Sequence, residues 1–163
     1  MKTQRLAIIF AGTTALLASL PAVAAEKVTG VDKDFQLLSQ TSAFVPDKPG
    51  HSVQQRTWVW KTSSPKWGEY WNSAVEQVDN VGTDNTVKGY GTAHFPDGDV
   101  VYSSWEGTDK VTTKEGGAFD MVGQGKFTWL GGTGKHNFQG SGTYTCKFTQ
   151  AGGQCDWQGD AGM

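Results

Sequence analysis

The chain predicts an all-β fold: an antiparallel closed barrel of about eight strands behind an N-terminal export signal. Three observations lead there. No segment of the mature chain sustains a helical period, turn signals recur at short regular spacing, and glycine and tryptophan are both abundant, at 22 and 7 of 163 residues. Short strands joined by tight turns, with aromatic rings in the interior, follow from that combination. A sandwich shares the turn spacing, but closure into a barrel also removes exposed strand edges.

The first 25 residues read as a secretory signal peptide, with a basic start (Met1–Arg5), an apolar run (Leu6–Leu20) and a small-residue exit (Pro21–Ala25). Cleavage is expected after Ala25, with Ala24 as the alternative. The apolar run is shorter than the ~20 residues of a bilayer span, and it holds no cysteine for acylation. The protein is therefore expected in the periplasm or outside a bacterial cell, not spanning a membrane after cleavage, with residues 26–163 forming one domain. Removing Lys2 and Arg5 from 14 basic and 16 acidic residues leaves 12 against 16, a net charge of −4. The basic residues are scattered singly, so nucleic acid and anionic membrane surfaces are not favoured partners. An outer-membrane barrel is disfavoured because long lipid-facing apolar alternation is missing.

Along the mature chain, Asp34–Ser39 is a first strand, ended by the loop Pro46-Asp47-Lys48-Pro49-Gly50. Ser52–Thr62 alternates strongly, with Arg56, Trp58 and Trp60 on one face. Trp67, Tyr70 and Trp71 follow a turn at Ser63–Lys66. Asn72–Val81 fits strand or short helix, and its context favours strand. Thr86–Phe95 and Val100–Glu106 flank the hairpin turn Pro96-Asp97-Gly98-Asp99. The turn segments Gly107-Thr108-Asp109-Lys110 and Glu115-Gly116-Gly117 flank a short polar strand around Val111, then come Ala118–Val122 and Gly125–Leu130. The stretch Phe127–Thr145 is an apolar strand, a glycine-dense turn and a return strand. Thr143–Thr149 and Gln154–Gln158 form the last hairpin.

Cys146 and Cys155, the only cysteines, predict a structural disulfide across that hairpin. In this register cross-strand partners sum to 301, which sets Tyr144 opposite Trp157 on the disulfide's face. Neither cysteine has the Cys-x-x-Cys spacing of a redox or metal pair.

Most chemical signatures are missing. The turn around Gly134-Lys135 continues with His136 instead of Ser or Thr, so it is no phosphate loop. No G-x-S-x-G occurs. His51, His94 and His136 stand apart without metal-ligand spacing, so no metal or cofactor is expected, and His136 is expected in solvent. The carboxylates offer more. Glu76 and Glu106 are the catalytic candidates, ahead of Asp120, since a carboxylate turned into a barrel is desolvated and suited to acid–base work. Arg56 is expected at the rim; if its face is internal, it is expected to pair with one of them or with an acidic ligand head group.

The run Leu130-Gly131-Gly132-Thr133-Gly134-Lys135-x-Asn137-Phe138-x-Gly140-x-Gly142 resembles the GGTGxFxGxxGxG signature of allene oxide cyclase-like and dirigent-like β-barrels. The resemblance covers about residues 100–145. It implies an eight-stranded antiparallel barrel with an apolar central cavity. Members include plant cyclases of oxidised fatty acids, proteins that guide phenoxy-radical coupling, and bacterial secreted proteins, which this chain resembles most. It departs from them in the inserted His136-Asn137 and in the Cys146–Cys155 hairpin. No catalytic residue of the cyclases maps onto it.

The expected function is binding of a small apolar, aromatic or phenolic molecule in the barrel, with Trp58, Trp60, Tyr102, Trp105 and Trp129 as the lining. The alternatives are a cyclase or isomerase acting in the same cavity, and a non-catalytic structural or interaction module with a filled interior.

Overall fold

The computed structural model describes residues 25–162, so all of the signal segment except Ala25 lies outside the described residues. Eight antiparallel strands follow one another in chain order around a closed barrel. They are β1 Glu26–Phe44, β2 His51–Ser64, β3 Gly68–Val81, β4 Asp84–His94, β5 Val100–Thr113, β6 Phe119–Gly132, β7 Gln139–Thr149 and β8 Gly152–Gly162. Cys146 and Cys155 form the disulfide, and Tyr144 pairs with Trp157 in the expected register.

The strands are longer than the alternation suggests. The expected breaks at Gly107–Lys110 in β5 and at Gly123–Gln124 in β6 are absent, and both strands run through. These glycines face inward under large neighbours: Tyr144 covers Gly107 and Gly125, and the Asp109 carboxylate covers Gly123. β1 extends well beyond Asp34–Ser39 because its second half is exposed on nearly every residue, which erases the alternation.

The same complementarity recurs around the inner wall. Trp157 lies opposite Gly30, Trp105 opposite Gly89, Phe127 opposite Gly142, and Phe148 opposite Gly153. In each pair a Cβ on the glycine would come within 2.4 Å of a ring atom of the partner. Each ring thus lies flat across its neighbouring strand, and the absent side chain makes room for it. Burying an aromatic or large aliphatic side chain stabilises the fold by about 1.5–3 kcal/mol, so these pairs are a large share of the core.

Stagger sets the barrel's shape. From Val28 the cross-strand partners run through Gly159, Gly142, Phe127, Trp105, Gly89, Glu76 and Arg56, and return to β1 at Gln40, twelve residues beyond the start (28 to 40). A large stagger tilts the strands steeply and widens the barrel. It also lets β1 and β2 project past β7 and β8.

The two ends differ as a result. At the end carrying the β2–β3, β4–β5 and β6–β7 turns, Val28, Tyr70, Phe95, Val101, Trp129, Phe138, Trp157 and Ala161 form one buried cluster. Trp67 enters from the β2–β3 turn and stacks on Phe138 at 4.6 Å, with the Trp129 ring edge-on at 5.3 Å. This end is sealed.

The glycine-rich signature belongs to that seal. Asp99, in the β4–β5 turn, accepts hydrogen bonds from Thr133 Oγ1 at 3.2 Å and the Lys135 backbone N–H at 3.1 Å. Gly134 has φ of 51°, and its missing Cβ leaves the space that the Asp99 carboxylate occupies. His136 is buried instead of solvated, because its ring stacks on Phe95 at 3.7 Å. The inserted Asn137 accepts a hydrogen bond from the Gly132 N–H at 3.2 Å.

Gly89→Ala is expected to cost on the order of 2–4 kcal/mol in urea denaturation, since the Trp105 ring must leave its place. Shrinking that ring in the double variant Gly89→Ala/Trp105→Leu should recover part of the loss. Strict additivity of the two losses would show that the ring does not rest on Gly89.

Candidate ligand-binding site

Toward the opposite end the inner wall is less completely buried. Period-two alternation turns Arg56, Trp58 and Trp60 of β2, Glu76 of β3, Trp105 and Asp109 of β5, and Tyr144 of β7 inward, and all seven are half-buried. Phe35 of β1 stacks on Trp60 at 5.7 Å and meets Phe148 of β7 edge-on at 4.9 Å, while Trp60 approaches Trp105 at 6.1 Å. Rings from opposite sides therefore meet over the middle of the lumen and floor its open half.

A polar group sits above that floor. Glu76 Oε1 accepts a hydrogen bond from Trp58 Nε1 at 2.8 Å and pairs with Arg56 Nη1 at 3.5 Å. Arg56 Nε also donates to Gln54 Oε1 at 2.9 Å. The ion pair is largely buried, with 18% and 13% of the two side chains exposed. Desolvation of two charges is costly, and a pair of this kind is weak support for stability. Asp109 completes the group: burial first, then the Glu76 charge, push its carboxyl up to about 6, with Arg56 opposing. Burial, followed by Asp109 and Glu76, also raises the Tyr144 phenol.

A second buried carboxylate lies deeper. Asp32 Oδ1 accepts hydrogen bonds from Thr62 Oγ1 at 2.5 Å and Trp157 Nε1 at 3.1 Å, and Asn72 Nδ2 donates to the same Thr62 oxygen at 2.7 Å. Trp60 Nε1 is fully buried with no partner inside hydrogen-bond distance, and favours the ionised form from farther away. Burial outweighs these donors and pushes the Asp32 carboxyl up to about 6. Outside the wall, His51 bridges Asp47 and Asp79, its Nε2 at 2.8 Å from Asp79. The hydrogen bond to Asp47 is the main cause raising its pKa.

Of the residues expected to form the site, the fold brings Trp58, Trp60, Trp105 and Glu76 to one lumen and joins Arg56 to Glu76. Trp129 also points inward but is spent in the sealed end. Tyr102 and Glu106 are corrected to the outer surface: β5 turns Val101, Ser103 and Trp105 inward, so their neighbours face out, and Tyr102 is 49% exposed. Asp120 pairs with Lys114 on the surface at 2.5 Å. Asp109 and Asp32 escaped sequence reasoning. Asp109 lies four residues past Trp105 and shares its face, a signal hidden by reading Gly107–Lys110 as a turn.

An outer groove of about 1410 Å³ follows one cross-strand row around the barrel, between outward side chains such as Lys88, Tyr90, Glu106 and Lys126. Gln54, Glu76 and Trp105 also line it, so it reaches the polar group described above. Asp97, Asp99 and His136 lie close enough to suggest a cation site, but Lys135 Nζ already meets Asp97 at 2.6 Å.

The fold and the wall define a class: a closed eight-stranded barrel with a buried aromatic cluster toward one end and charged groups among half-buried rings toward the other. No family model, curated protein or solved structure matches the chain.

The buried Asp32 carboxyl yields a sign that is open to measurement. Its folded pKa, about 6, exceeds the usual 3.8, so the unfolded chain ionises first as pH rises. Its contribution is intact below pH ~4, falls as pH rises towards 6, and is flat above, a loss of roughly 3 kcal/mol. Asp109 titrates in the same window, so the reading is a difference. Relative to the parent, Asp32→Asn is expected to gain stability steadily between pH 4 and 6.5 in denaturant titrations. A gap that does not change with pH would contradict it.

Proposed function

We propose that this protein is an exported β-barrel that binds a small apolar or aromatic molecule in the open half of its lumen, with the molecule's polar group beside Arg56 and Glu76. The observation that carries this reading is the contrast between the two ends. One half of the interior is packed with buried rings, while the other keeps tryptophans and an ion pair half-buried on its wall. Buried charge contributes little to a fold but much to orienting a ligand. The signal-like first 25 residues, the disulfide and the resemblance to cyclase-like and dirigent-like barrels support the same reading.

Titration with a panel of fatty acids and phenolics should give saturable quenching of tryptophan fluorescence for at least one class. Arg56→Met should weaken that binding roughly tenfold by removing a charged hydrogen-bond donor. No saturable change with any ligand would sink the proposal.

A second reading, cyclase or isomerase chemistry in the same lumen, draws on one observation. Asp109, raised to about 6, stands near Glu76, whose carboxylate is held by Trp58, and two carboxylates in different environments suit complementary acid and base roles. Under that reading, Asp109→Asn abolishes turnover of a bound substrate while leaving its quenching titration intact. Equal turnover in the variant removes the catalytic role.

A further inference from the structure

The barrel is closed, yet one of its strands has a free edge. The ladder between β1 and β8 ends at Asp32 and Cys155, while β1 continues to Phe44 paired with β2 alone. Beyond the irregularities between Lys33 and Gln36 and between Leu37 and Ser39, pairing with β2 is regular from Ser39 to Phe44. Along that stretch every second residue turns its N–H and C=O away from β2, and among the described residues no other strand receives them.

Only another extended backbone satisfies a regular row of alternating donors and acceptors. Charge and proline, two of the usual protections of an edge, are missing from Ser39 to Phe44. Residues 35–46 contain no charged side chain, and the one proline, Pro46, comes after the strand has ended. Leu38 and Phe44 are 60% and 72% exposed, so apolar surface flanks the free groups. In an acidic chain most faces repel a second copy. This neutral stretch does not, and antiparallel pairing of identical segments satisfies both edges at once through a twofold axis.

We infer that two copies of this protein pair edge to edge through Ser39–Phe44 of β1, giving a symmetric dimer with one sheet continuous between barrels. The surface lies on the outer rim and is independent of the ligand proposed for the lumen.

Light scattering coupled to size exclusion, over a concentration series of the mature protein, should show twice the monomer mass at the upper end. Ala43→Lys sets like charges across the twofold pairing, and should raise the concentration needed for dimer roughly tenfold. High salt should partly restore it. Ser42→Pro removes a backbone donor that points away from β2, since the bonded pairs with β2 fall at Val45, Ala43 and Thr41, and it should stay monomeric at any salt. Near-UV circular dichroism verifies that each variant keeps its fold. Amide exchange provides a second measure in the unaltered protein, with residues 39–44 gaining protection as concentration rises. A monomer throughout the series, or a dimer that both variants leave intact, overturns the inference.

Discussion

The fold depends on rings laid across glycines. Inside a closed barrel every inward position competes for the same volume, and a wall of uniformly large side chains would not close. The chain meets that constraint pair by pair, setting a tryptophan, phenylalanine or tyrosine on one strand opposite a glycine on the next. Glycine inside a strand weakens it in isolation. Here the loss is offset by the packing of its partner, so each glycine has meaning only together with the ring that covers it.

Stagger converts this uniform packing rule into an asymmetric molecule. Because the cross-strand row climbs twelve residues along β1 in one circuit (28 to 40), strands on one side reach beyond those on the other. The short side leaves the lumen accessible. The tall side presents Arg56 and Glu76 there, and sends the second half of β1 beyond its last β8 partner. The sealed end, the polar lumen and the free edge thus share one geometric origin.

Much of this was legible in the residues. The all-β class, the strand with Arg56, Trp58 and Trp60 on one face, the disulfide and the Tyr144–Trp157 register follow from alternation and spacing alone. Strand lengths were not legible, because glycine signals both a turn and a covered inward position, and only the partner's identity separates the two. Reading Gly107 as a break hid Asp109, and an unresolved register left Tyr102 and Glu106 on the wrong face. His136 looked solvent-exposed because its stacking partner, Phe95, lies in a different hairpin. Asp32 carries no local signal, since its burial is created by strands far away in sequence.

The short seam between β1 and β8 bears on how the molecule comes into being. Glu26 pairs with Ala161 and Asp32 with Cys155, so the first strand to be synthesised waits for the last. The other seams join neighbours in sequence and form from local hairpins, whereas this one carries the loop-closure entropy of nearly the whole domain. Closure is thus a late event. Until it occurs the chain is an open meander, with both terminal strands unpaired on their outer sides and the lumen's rings uncovered.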